Sequence, residues 1–218
     1  MFRKLILTSA TISGLLLSGC VDANQSADTS GVVQATTCEY KADGEPARPV
    51  DPPSGTDVNN AGEVEAVIHM TAGDVTLTLD RAAAPCAVNS FTSLAEQGYY
   101  DDTECHRLVD YGIFILQCGD PTATGTGGPG YVMAEEVGPD TAYPAGTVAM
   151  AKRHQAGTTG GQFFLVWADT PLEPDYTVIG TMDAAGLEVV SGIAAQGVAA
   201  EDGISPIAEA EIESITLG

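Results

Sequence analysis

Few side chains in this sequence are equipped for chemistry, and the usual catalytic arrangements are missing. There is no G-x-S-x-G elbow, no H-E-x-x-H pair and no phosphate-binding P-loop, and His69, His106 and His154 are not at metal-ligand spacing. The glycine-rich run Thr124–Gly130 has neither a terminal Lys nor a helical pattern after it, which makes it a weak nucleotide signature. From residue 62 onward the only basic side chains are Arg81, Arg107, Lys152 and Arg153. Arg107 is set in the apolar run Cys-His-Arg-Leu-Val, where even partial burial of a guanidinium is costly without a compensating partner. A cation held there implies a purpose, with a guanidinium snorkelling to the surface or paired with one of the many acids as the alternative.

The elements that would position Arg107 follow from periodicity. Residues 65–70 and 75–79 alternate as strands around the turn Thr71–Asp74. Residues 83–97 begin with Pro85 near the first turn, place Val88, Phe91, Leu94 and Ala95 at helical spacing and end at Gly98, which predicts an amphipathic helix. Short apolar stretches at 105–109, 113–118, 147–151, 162–167 and 176–181 read as strands. A second helical pattern spans 186–195 and a last strand 211–217. The expected fold is mainly β, a closed antiparallel eight-stranded barrel capped by two α-helices.

Bulk composition narrows the partners. With 30 acidic residues against 8 Lys and Arg, the net charge is −22, so phosphate backbones and anionic headgroups would repel the chain. Nucleic acid is excluded as a partner, and a monomer is expected. Residues 1–19 combine a basic start, a short apolar run and small residues, the parts of a secretory signal. Leu17-Ser18-Gly19-Cys20 resembles the bacterial lipobox, which implies lipidation of Cys20 and an extracytoplasmic, membrane-attached protein. Cleavage there would remove Arg3 and Lys4 but no acid, giving net −24, so the lipid alone would hold the membrane. Residues 20–37 read as a flexible tether, 38–61 as a Pro- and Gly-rich strap and 62–218 as the compact domain. Cys38, Cys86, Cys105 and Cys118 allow three disulfide pairings. Cys105 and Cys118 flank a hairpin, but strict strand alternation would turn them to opposite faces, and the pairing stays open.

Several motifs, in order, resemble the cyclophilin family: Asn89-Ser-Phe91, Gly98–Thr103, His106-Arg107, Phe114–Pro121, Gly125–Gly130, Ala149-Met-Ala151 and Gly160–Phe164, then Leu172 and Val178-Ile-Gly180. The resemblance runs from about residue 65 to the C-terminus. It implies a peptidyl-prolyl cis-trans isomerase whose catalytic residues are Arg107, Gln117 and Phe114 and which requires no cofactor, metal or titrating base. Substrate contacts are implied for His106, Ile115, Met150, Ala151, Gln162, Phe164, Leu172 and Tyr176, with proline-containing polypeptides as partners. Ile115 replaces the family's usual Met, and two extra residues lengthen the connection from Arg107 to Phe114. Lys152–Ala156 departs from an Asn-rich loop, and Pro171 stands where many members carry a Trp that contacts cyclosporin. A non-catalytic Pro-peptide-binding or chaperone module is the alternative function, and a surface tether or adhesin a third.

Overall fold

The computed structural model of the protein describes residues 34–218. The expected leader, the expected lipidation site Cys20 and most of the expected tether lie outside the described residues.

In chain order the elements are β1 (Ala35–Thr36), β2 (Lys41–Ala42), β3 (Val58–Asn59), β4 (Glu63–Met70), β5 (Gly73–Asp80), α1 (Pro85–Glu96), β6 (Thr103–Glu104), β7 (Arg107–Tyr111), β8 (Ile113–Cys118), β9 (Tyr131–Val132), β10 (Thr147–Lys152), β11 (Thr159–Val166), β12 (Val178–Met182), α2 (Ala184–Ala194) and β13 (Glu211–Leu217). Nine strands form one antiparallel sheet in the order β6-β13-β4-β5-β12-β10-β11-β8-β7. The expected closed eight-stranded barrel is therefore corrected to an open, curled nine-stranded sheet. Its edge strands β6 and β7 are consecutive in the chain and are linked by Cys105 and His106, yet no ladder joins them. The N–H of Leu108 on β7 donates instead to the Ile204 carbonyl at 2.8 Å, so a loop takes up part of that edge.

One face of the sheet and both helices enclose the main core. From α1, Ala87, Val88, Phe91, Leu94 and Ala95 are buried, as their three- and four-residue spacing requires. The N-terminus of α1 has no side-chain cap of its own. Pro85 occupies a first-turn position, where its missing N–H costs nothing, and the Glu136 carboxylate accepts from the N–H groups of Cys86 and Ala87 at 3.0 and 2.8 Å. At α2 the Asp183 side chain accepts from Gly186 N–H at 2.7 Å. Gly186 also lets α2 settle on β5, since a Cβ there would stand 2.8 Å from Val75 Cγ1.

Two disulfides form, Cys38–Cys86 and Cys105–Cys118. The alternation argument against the second pair fails because Cys105 precedes β7 and is not bound by the strand's period of two. The segment 38–61 is ordered and fastened at both ends of α1. Cys38 bonds Cys86 in the first turn, while Arg48 Nη1 donates to the carbonyls of Gly98, Tyr99 and Asp101 just beyond the last. Between these ties β2 pairs with β9.

Candidate active site

The strand registers sort the side chains of β7, β8, β11 and β10 onto two faces. Arg107 pairs with Gln117 and Val109 with Ile115, while Phe164 is opposite Gln117 on one side and Ala149 on the other. These residues share the outer face. Leu108, Leu116, Phe163, Leu165, Val148 and Met150 alternate inward to the main core. The outer face carries its own apolar cluster of Ile115, Tyr143, Ala149, Phe164 and Val166, flanked by the half-buried Val109, Ala151, Leu172 and Tyr176. The Tyr176 ring stands edge-on to Phe164, with centroids 5.5 Å apart at 85°. Tyr143 braces this wall: its hydroxyl donates to the Tyr176 carbonyl and accepts from the N–H groups of Asp175 and Tyr176.

Beside the cluster runs a one-directional hydrogen-bond row. Arg107 Nη1 donates to Gln117 Oε1 at 3.0 Å, Gln117 Nε2 to Gln162 Oε1 at 2.8 Å, and Gln162 Nε2 to the Gly127 carbonyl at 2.9 Å. Each amide is thereby fixed in one orientation. Among the described residues no carboxylate pairs with Arg107. A guanidinium offers five N–H donors, so most of those on Arg107 remain for a bound molecule.

The far end of the row is anchored by Asp120, which is buried and accepts from Thr122 N–H, the Thr122 hydroxyl and Gly127 N–H at 2.8, 2.7 and 2.9 Å. Burial works against its charge, but these donors and the neighbouring His106 outweigh it and hold the carboxyl below the usual carboxylate range. Gly127 must be glycine, because a Cβ there would overlap Asp120 Oδ1. Asp120, Gly127 and Tyr143 had no role in the sequence reading. The signal for the first two was an Asp followed by Thr at alternate positions and then glycines, the makings of a self-bonded turn.

Of the expected site residues, the structure brings together Arg107, Gln117, Ile115, Ala151, Gln162, Phe164, Leu172 and Tyr176. Three others stand elsewhere. Met150 is fully buried in the main core, because Ala149 and Ala151 hold the outward positions of β10. Phe114 has the inward parity of β8 and is half-buried, with its ring edge-on to Trp167 and the centroids 5.0 Å apart. His106 is buried beneath the loop after Asp120, its Nε2 3.5 Å from where a Cβ on Gly125 would lie, and burial pushes its imidazole down towards the neutral form. The two extra residues before Phe114 lengthen the paired strands, so that β7 and β8 meet at Gly112 with the exposed Tyr111 at the tip.

The family model described as "Cyclophilin type peptidyl-prolyl cis-trans isomerase/CLD" matches residues 66–217. This chain belongs to the cyclophilin family. Among similar proteins, the "Probable peptidyl-prolyl cis-trans isomerase B" of Mycobacterium leprae is 42% identical over 197 residues, covering 83% of this chain and 66% of the relative. The protein of the same name from Mycobacterium tuberculosis is 40% identical over 197 residues, covering 83% and 63%. The chain thus spans slightly less than two thirds of those relatives. A crystal structure of a cyclophilin-type isomerase from Cryptosporidium parvum superposes with a TM-score of 0.66 at 29% identity, covering 72% of this chain and 98% of the other. A second structure of that protein, in the presence of the dipeptide Ala-Pro, gives 0.64 at 29% identity, covering 71% and 98%. The cyclophilin match begins after the strap, so residues 38–61 are an addition to the matched domain.

Proposed function

We propose that this cyclophilin is a peptidyl-prolyl cis-trans isomerase acting on X-Pro bonds of exported proteins and assisting their folding outside the cytoplasm. The observation that carries the reading is the Arg107–Gln117 contact at 3.0 Å beside an apolar cluster, with no carboxylate among the described residues paired with the guanidinium.

The chemistry follows from the bond. Rotation about a peptide bond is resisted by about 18–20 kcal/mol, because resonance gives the C–N bond partial double-bond character. Twisting the bond localises a lone pair on the prolyl nitrogen and makes the carbonyl oxygen a weaker acceptor, so a donor aimed at the nitrogen favours the twisted state. Ile115, Phe164, Leu172 and Tyr176 would hold the proline ring by burial. Arg107, oriented by Gln117, would donate to the prolyl amide as it twists. The contact accelerates rotation to the extent that it is stronger in the twisted state than in either planar isomer. No bond is made or broken, and no proton need move. A module that merely binds proline segments has no use for an unpaired cation at the edge of its pocket, which favours the enzyme over the binder. The Ala-Pro dipeptide used with the Cryptosporidium relative supports proline peptides as the ligand class.

The location rests on the leader-like residues 1–19, on Cys20 as lipid acceptor, and on two disulfides, which suit an oxidising compartment. The test of activity is two-dimensional NMR exchange on a short X-Pro peptide. Exchange cross-peaks between cis and trans signals at substoichiometric protein are expected, and their absence would leave the binding module as the better reading.

A further inference from the structure

The strap supplies a wall of a second cavity next to the Arg107 row. This side pocket has a volume of about 650 Å³, shares Gln117 and Gln162 with the row and Ala151 with the apolar cluster, and so adjoins the groove. The glycine-rich loop after Asp120 forms one side. Asp43, Glu45 and Ala47 of the strap, with Arg153 just past β10, form another. The strap is held against the loop by main-chain bonds, Asp43 N–H to the Gly130 carbonyl and Ala47 N–H to the Gly128 carbonyl, both at 2.8 Å.

The charges on this wall are largely paired. Arg153 Nη2 lies 2.9 Å from Asp43 Oδ2, and Lys152 Nζ lies 2.8 Å from Asp175 Oδ2. Both cations are thus neutralised, while Glu45 is exposed and enters no ion pair among the described residues. One negative charge is left over at the mouth.

We propose that Asp43 and Glu45 of the strap set the charge preference of the side pocket, so that a substrate side chain entering it from beside the X-Pro bond is favoured when basic and disfavoured when acidic. This rests on the isomerase reading for its substrate. It makes the strap a specificity element of the cyclophilin site and gives Asp43 a second effect, masking Arg153. The two partners of that ion pair must then act in opposite senses. Neutralising Asp43 unmasks a cation in the pocket wall, and neutralising Arg153 unmasks an anion. A purely structural ion pair would instead weaken the strap, and so shift selectivity the same way, whichever partner was changed.

The experiment compares peptides with Lys or Glu placed first on one side and then on the other side of an Ala-Pro bond. For the wild type, Asp43→Asn, Glu45→Gln and Arg153→Gln, both kcat/KM and Kd are measured by NMR, and the Lys-to-Glu ratio is the readout. The wild type should favour Lys on the side that enters the pocket. Asp43→Asn and Glu45→Gln should lower the ratio and Arg153→Gln raise it, each by about two- to fivefold, the range for exposed charge pairs. Ratios unchanged in all three variants, or moved in the same direction by Asp43→Asn and Arg153→Gln, would overturn the proposal. Absence of turnover in the wild type would defeat the isomerase reading alone, and the Kd ratios would then decide the subsite by themselves.

Discussion

Gln117 accepts a hydrogen bond from Arg107 at 3.0 Å across the β7–β8 ladder, in which the two residues are direct partners. The Cys105–Cys118 disulfide closes the same end of the hairpin, so the pair is held by backbone, covalent bond and side chain together. Gln117 is therefore a positioning residue for Arg107. Gln117→Ala should lower kcat by about tenfold or more with a smaller change in KM, since misplacement of a catalytic group by an ångström can cost a hundredfold. Steady-state kinetics on an X-Pro peptide provide the check, and a change confined to KM would assign Gln117 to substrate binding instead.

Asp120 gives a pH-dependent prediction. Its carboxyl titrates lower in the folded chain than in the unfolded one, so its stabilisation is complete above the unfolded value of about 4 and is lost as pH falls through the lower folded value. Asp120→Asn should reduce Tm at neutral pH, because the loop's N–H and hydroxyl donors lose a charged acceptor, at a cost of about 1–3 kcal/mol. The gap between variant and wild type should narrow as pH drops below about 4. A gap independent of pH would mean that Asn disrupts the loop by shape alone.

Part of the candidate site was legible in the sequence. Arg107 stood out as one cation in an apolar strand, and the resemblance supplied Ile115 and Gln117, which the period of two along β8 keeps on one face. The same period, applied strictly, would have placed Met150 and Phe114 inward. Motif order overrode it, because motif similarity records position along the chain and not the face a side chain occupies. Closure of the sheet was not legible for a different reason. Whether β6 and β7 pair depends on two residues, Cys105 and His106, whose conformation no periodicity specifies. The Cys38–Cys86 disulfide and the strap's fastening to the two ends of α1 arise from contacts 46 to 53 residues apart in sequence, which local patterns do not carry.

Cys20 is the predicted membrane attachment. A chain of this acidity has no electrostatic means of staying on an anionic bilayer, so Cys20→Ala should move the protein from the membrane pellet to the soluble fraction. Retention of the variant in the pellet would contradict the lipid anchor.

Cyclosporin should bind at least tenfold more weakly here than to a cyclophilin carrying the Trp that Pro171 replaces. Pro171 is exposed beside Leu172 and offers no N–H donor and little surface. Trp167 does not fill the place, since its ring lies against Phe114 and the main core. Pro171→Trp should tighten the complex, as isothermal titration would show. Tight binding by the unmodified protein would contradict the correspondence at Pro171.

The central claim is that Arg107 acts on the twisting amide. The measurement that tests it most directly is the NMR exchange rate of an X-Pro peptide with wild-type protein and with Arg107→Ala, alongside near-ultraviolet circular dichroism to verify folding. The account predicts catalysis by the wild type and a loss of about 10² to 10³ in kcat for the variant, the magnitude for one charge-assisted donor in a sheltered site, with the fold unchanged. Equal exchange rates for a folded Arg107→Ala and the wild type would contradict it.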